Sequence, residues 1–247
     1  MAIYHFRLGV VQRSRGQSAV AIAADRARLR LHDCRLDQTF SPLPAKRGTR
    51  PILSEVLLPD LAPPSWRDRE VLWNAVEVFE RRRDASLARE VEFALPAELS
   101  LEQAAGLARS YVLAAFVADG MVADLNVHWA VLPDGQPKPY AQVLLTLRRI
   151  GPNGFGLKEI AWNDWSNAVR WRRLWAEMAN ACLAKHGHAA RVDHRSHAER
   201  GIPLEPQNKI GPNAARRAQR GEPSERVDEH QAIALRNQER IASDDAL

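Results

Sequence analysis

Long apolar runs are missing from this chain, and none approaches the roughly 18–20 residues needed to cross a bilayer. The opening MAIYHFRLGV goes straight into a strand-like alternation and lacks the layout of a secretion signal. Cysteine is scarce: Cys34 and Cys182 stand alone without ligand-like spacing, which argues for a reducing compartment. These absences lead to the expectation of a soluble, cytoplasmic protein with no membrane insertion. Tyrosine is scarce too, at Tyr4, Tyr111 and Tyr140 only. Net charge is low for the length, at +5 over 247 residues, and unevenly spread. Between Arg13 and Arg50 nine basic residues face three acids, whereas from Arg191 onward ten face ten. The excess lies where a polyanion would be gripped, or forms a merely solvated face.

What is present is enough apolar residue, 45% with seven Trp, for a sizeable core. Ile3–Val11 alternates as a strand. The polar loop from Arg13 leads to Ser18, an N-cap for a helix over Ala19–Leu31. Residues 32–64 are broken by prolines and glycine, with a short apolar piece at Ile52–Leu58. A second helix is expected from Ser65, with Ser65–Asp68 laid out as a capping box and Val71, Leu72, Ala75, Val76 and Phe79 on one face. EVEFAL at 90–95 suits a half-buried strand. A third helix runs from the Ser100–Gln103 capping box to Gly120, and a fourth spans about Trp165–Lys185, with Trp165, Trp171 and Trp175 assigned to the core. The Gly151–Gly156 run reads as a turn before it reads as a phosphate loop. Arg191–His194 is a candidate last strand, and 224–242 a solvated helix with a frayed end. The order implies an α+β domain, an antiparallel sheet backed by helices.

The richest stretch is Met121–Arg149. Two apolar strands, about Val122–Ala130 and Ala141–Leu147, flank turn residues Pro133, Asp134, Gly135, Pro137 and Pro139. Such a β-hairpin sets His128 beside Tyr140 and Gln142, which share one strand face. This frame suits a three-ligand metal site, yet only His128 is a good ligand.

The opening through LRLHD resembles the MobA/MobL mobilisation relaxases. The resemblance continues through SEVLLP, WNAVE, LAREVEFALPAELS, the hairpin, EIAWNDW, LWAEMANACLAKHG, ARVDHRS and ERGI, to about Pro212. It implies a relaxase domain over 1–212, with 213–247 a charged, partly helical or disordered extension. The implied fold is the relaxase-type, His-hydrophobe-His fold: a five-stranded antiparallel, ferredoxin-like sheet with packed helices. The implied activity is nicking of origin-of-transfer DNA by a tyrosine, helped by a divalent metal (Mn, Mg or Zn) on three histidines. Implied partners are that DNA, relaxosome accessory proteins and a type IV coupling protein.

At those positions this chain departs from the family. Asp25, in Ala23-Ala24-Asp25-Arg26, takes the place of the nucleophilic tyrosine, and Tyr140 and Gln142 take the places of two histidines, leaving His128. The expectation is therefore a DNA-binding protein defective in nicking, with weak or absent metal binding. A nicking site rebuilt from Asp25, His128 and Glu90 or Glu92 is one alternative; the two glutamates otherwise read as a solvent-facing strand edge. A non-catalytic relaxosome module is another. Expected DNA contacts are Arg13, Arg15, Gln17 and Ser18, leading into a helix N-terminus suited to phosphate, and Arg26, Arg28 and Arg30 beyond it.

Overall fold

A computed structural model describes residues 4–42, 51–132, 135–151, 153–206, 208 and 210–244, of which 212 and 241–244 by backbone alone. Pro133 and Asp134 of the expected turn, Lys46, Arg47 and Arg50 of the basic third, and the last three residues of the expected frayed end lie outside them. The chain divides into two compact units, Met1–His194 and Arg195–Leu247.

The first unit is built on a five-stranded sheet in the order β1-β5-β7-β6-β4, every neighbouring pair antiparallel. The strands are β1 (Phe6–Gln12), β4 (Leu53–Leu57), β5 (Ser86–Ala94), β6 (Ala123–Val131) and β7 (Pro137–Leu145). Two small hairpins, β2 (Leu31–Asp33) with β3 (Gln38–Phe40) and β8 (Arg148–Gly151) with β9 (Gly154–Lys158), stand apart from it. Strand alternation gives the sheet two different faces. Val91, Phe93, Ala141, Val143, Leu125 and Val127 face one way and meet α3 (Leu101–Val112) and α4 (Trp165–Lys185) through Tyr111, Trp171 and Trp175. On the other face Val11, Ala88, Leu144, Val122 and Val56 pack on α1 (Ala19–Ala27) and α2 (Arg69–Phe79).

Burying this apolar surface on both sides is the main favourable term in the fold, and it fixes register, because a one-residue slip would turn polar side chains into the core. The register brings three polar rows onto the α1 face. Ser54, Asn126, Gln142, Glu92 and Arg7 form one row across all five strands, with Asp124 and Glu90 in the row on one side and His128 opposite Tyr140 on the other.

The α+β order expected from the sequence is present, with differences that have local causes. Helix α1 stops at Ala27 rather than Leu31: Arg28 turns into the left-handed region (φ 56°) and the Leu29 amide folds back to the Ala24 carbonyl. Helix α2 starts later than Ser65. After Pro63 and Pro64 a single tight turn forms, and Asp68 itself caps the helix through the amides of Glu70 and Val71. Val71 and Phe79, assigned to its buried face, are exposed, while Leu72 and Val76 are buried. Residues 32–64 contain β2–β3 and β4. Pro137 and Pro139 belong to the start of β7, not to the turn. Arg191–His194 is no strand: Val192 pairs its amide and carbonyl with the Asn180 side chain at 2.8 Å each, a substitute for a ladder. Trp165 is 69% exposed, against the expectation of a core residue, with the Arg172 guanidinium over its ring. The Ser100–Gln103 capping box and the Gly120 terminator (φ 94°) form as expected.

The second unit holds α5 (Pro212–Gln219) and α6 (Glu225–Asp244). Glu205 is held there by Arg236, Arg240 and Asn237, and Ile233 is buried.

Candidate functional site

The sheet register and α1 gather most of the expected site residues at one end of the α1 face. His128 is 6% exposed and stacks on Tyr140, ring centroids 4.9 Å apart and planes 17° from parallel. Its Nε2 is buried without a hydrogen-bond partner. Burial pushes its pKa down to about 4, with the positive charges of Arg28 and Arg26 adding to the shift. The ring is therefore neutral at pH 7. Burial also raises the Tyr140 phenol, helped by the Glu92 carboxylate. Gln142 Nε2 donates to Glu92 Oε2 at 2.9 Å, and Glu92 Oε1 lies 3.4 Å from His5 Nε2. Asp25, late in α1, sits between cations: Arg28 Nη1 is 3.3 Å from Oδ1, and Arg26 Nη1 is 3.6 Å from Oδ2. Arg26 also donates to Glu90 Oε1 through Nε at 3.1 Å.

Glu90 and Glu92 thus do reach the site. The strand-edge reading fails, because β5 lies between β1 and β7.

The loop before α1 is used differently from the expectation. Arg13 donates to Glu77 Oε2 at 2.6 Å and to the carbonyls of Glu77, Glu80 and Arg82. Gln17 Oε1 accepts from the Gln12 amide, and Ser18 caps Ala21 while donating to the buried Asp33. The N-terminus of α1 already holds an anion: Glu77 Oε1 accepts from the Ala19 amide at 2.7 Å. Arg13, Gln17 and Ser18 are therefore bound within the fold, and the helix N-terminus is no open phosphate slot. Arg15 and Arg30 are exposed.

Sequence reasoning missed a buried network beside the pocket. Asp124 Oδ2 accepts from Arg69 Nε and Trp73 Nε1, both at 2.8 Å, and Oδ1 accepts from Asn126 Nδ2 at 2.9 Å. Ser54 Oγ donates to Asn126 Oδ1 at 2.7 Å. The signal was available: Asp124 and Asn126 precede His128 at steps of two in an otherwise apolar strand.

A model of the MobA/MobL family matches residues 17–220. The chain belongs to the MobA/MobL family. The mobilization protein MobL of Acidithiobacillus ferridurans is 37% identical over 98% of this chain and 70% of its own length. Mobilization protein A of Escherichia coli is 31% identical over 92% of the chain, though the match covers only 32% of that protein. A solved structure described as the molecular basis of vancomycin resistance transfer in Staphylococcus aureus superposes with a TM-score of 0.70 at 32% identity, covering 79% of this chain and all of that one. The relaxase-type α+β fold expected from the resemblance is thus the fold of this MobA/MobL chain.

A divalent metal is what the family resemblance implies, and the donors present here bear on whether one fits. One imidazole nitrogen, His128 Nε2, is free to coordinate. Tyr140 offers a phenol held protonated, and the Gln142 amide is engaged by Glu92. Among the described residues no three of His, Cys, Asp or Glu converge on a metal-holding position. The carboxylates of Asp25 and Glu90 are paired with Arg26 and Arg28, and the cations that depress His128 would repel a dication as well. These residues do not fit a three-imidazole metal site.

Proposed function

We propose that this MobA/MobL chain binds origin-of-transfer DNA, as single strand or hairpin, and holds it without becoming covalently linked to it. The observation carrying this reading is the state of Asp25. At the position the resemblance gives to the nucleophile stands a carboxylate paired with two guanidiniums, its charge felt by the Tyr140 phenol that stands where an imidazole is expected. A tyrosyl attack needs an oxygen that reaches phosphorus and a cation that neutralises the phosphoryl oxygens as they gain charge. The Asp25 carboxylate is engaged by Arg26 and Arg28 and offers no tyrosyl oxygen, and burial raises the pKa of the Tyr140 phenol, which disfavours its phenolate. The binding half needs neither. Exposed Arg7 and Arg30 offer guanidiniums to a phosphate backbone, beside Arg26 and Arg28, which carboxylates already pair.

The test combines a gel shift with an adduct assay. Hairpin and single-stranded origin oligonucleotides should bind, with affinity falling between two salt concentrations. No binding, or binding indifferent to salt, overturns the DNA reading. With the oligonucleotide labelled at its 3′ end, no slower-migrating covalent species should form. The triple variant Asp25→Tyr, Tyr140→His, Gln142→His with manganese should form one. An adduct from the unaltered chain would refute the loss of nicking.

A further inference from the structure

We infer that Arg15, Arg81 and Arg83 form a second phosphodiester-binding patch, at the end of the sheet away from His128, that grips the sugar–phosphate backbone of the DNA. This rests on the reading that DNA is the ligand. The patch is assembled by Arg13. Its amide donates to the Ala85 carbonyl at 3.0 Å, and its guanidinium donates to the carbonyls of Arg82 at 3.1 Å, Glu77 at 3.0 Å, and Glu80. The loop after α2 is thereby fastened to the turn after β1. On that loop Arg81, Arg82 and Arg83 are exposed, and on the turn so is Arg15.

Arg82 is neutralised by Asp84, two bonds of 3.0 Å holding that carboxyl below its usual pKa. Arg15, Arg81 and Arg83 make no ion pair among the described residues. Around them stand Arg13 and Arg35 on Glu77, and Arg148 and Lys158 on Glu80. The cations gathered here, eight with Arg82, outnumber the three carboxylates they pair with, in a chain whose whole net charge is +5. Guanidiniums without ion-pair partners, carried on a backbone that Arg13 fastens, suit phosphate oxygens, which Arg binds bidentately.

The spacing suits one continuous ligand. From Ser86 to Glu92 the strand covers about 20 Å at ~3.3 Å per residue. One strand of a duplex presents a charge about every 3.4 Å of helix axis, so roughly six phosphates of a stem strand span the distance from the patch to the His128 pocket.

The experiment measures binding against salt for Arg81→Ala/Arg83→Ala, using a hairpin oligonucleotide and a stemless strand of equal length. Each phosphate contact contributes about 0.9 to the slope of log affinity against log salt on duplex, and ~0.7 on single strand. If the patch grips the stem, the hairpin slope falls by about 1.8, with affinity down about 30-fold at 0.15 M salt. If it grips the unpaired strand, both oligonucleotides lose about 1.4. Arg81→Lys/Arg83→Lys should keep most of the slope. Arg172→Ala/Arg173→Ala, which removes the same charge from α4, should change it little. Unchanged slopes in the alanine variant, or an equal loss in the α4 variant, overturn the patch while leaving DNA binding standing. Absence of binding by the unaltered chain removes both.

Discussion

Glu77 joins more of the first unit than any residue of the pocket does, and its removal should be costly. Its side chain is 0% exposed and accepts from Arg13 at 2.6 Å, Arg35 at 2.9 Å and the Ala19 amide at 2.7 Å. These donors come from the basic turn, the β2–β3 hairpin and the start of α1. Glu77→Ala leaves two guanidiniums and a helix-terminal amide without their shared acceptor. Breaking a buried pair in this way costs about 3–5 kcal/mol. Arg35 is 31% exposed and Arg13 keeps its carbonyl partners, so the lower end, about 3 kcal/mol, applies. Glu77→Gln keeps the shape and an acceptor but loses the charge, and should cost about 2 kcal/mol. Urea unfolding followed by tryptophan fluorescence reads this cleanly, because all seven Trp lie between Trp66 and Trp175, within the first unit. With a slope near 2.5 kcal/mol per molar, the alanine midpoint should drop by about 1.2 M. A loss under about 1 kcal/mol would show that the three donors find water readily and that Glu77 does not organise this end of α1.

Three further outcomes are expected. His128 should titrate near 4 by NMR; because the unfolded ring protonates near 6.5 and the folded one resists, stability should decline as pH falls from about 6.5 toward 4, and His128→Phe should remove that part of the slope. A folded-state value near 6.5 would refute the buried setting beside Arg28 and Arg26. Calorimetry with manganese, zinc or nickel should give no tight one-to-one binding for the unaltered chain, and Tyr140→His/Gln142→His should create it; tight binding without those changes would mean another donor set exists. Asp124→Ala strands Arg69 and Trp73, a cost of about 4 kcal/mol and a fall in Tm of about 10 °C, read by calorimetric melting. A drop under about 3 °C would mean that the network is not a structural clamp.

The hairpin, the caps at Ser18 and Ser100 and the convergence of Asp25, His128, Tyr140 and Gln142 were legible because they follow from alternation, capping chemistry and resemblance to a family. The fate of the arginines was not. Arg13 and Arg26 find Glu77 and Glu90, each 64 residues away, and no local pattern announces a partner at that distance. The basic stretch from Arg13 to Arg28 therefore read as an open DNA surface when much of it is internally paired. The RRR run at 81–83 carries no local signal, because its meaning depends on Arg13 holding that loop against the turn. The start of α2 was misplaced for a more local reason: the pair Pro63–Pro64 favours a short tight turn, which moves the cap to Asp68.

The alternation along β6 also bears on how such a chain can persist. Leu125 and Val127 belong to the core with α3 and α4, while Asn126 and His128 point the other way. Along β7, Ala141 and Val143 serve the core and Tyr140 and Gln142 the pocket. Core packing and the polar pocket are therefore written in interleaved but separate letters of the same two strands. Under the proposed reading, substitutions at Tyr140 and Gln142 leave the core-facing Ala141 and Val143 untouched.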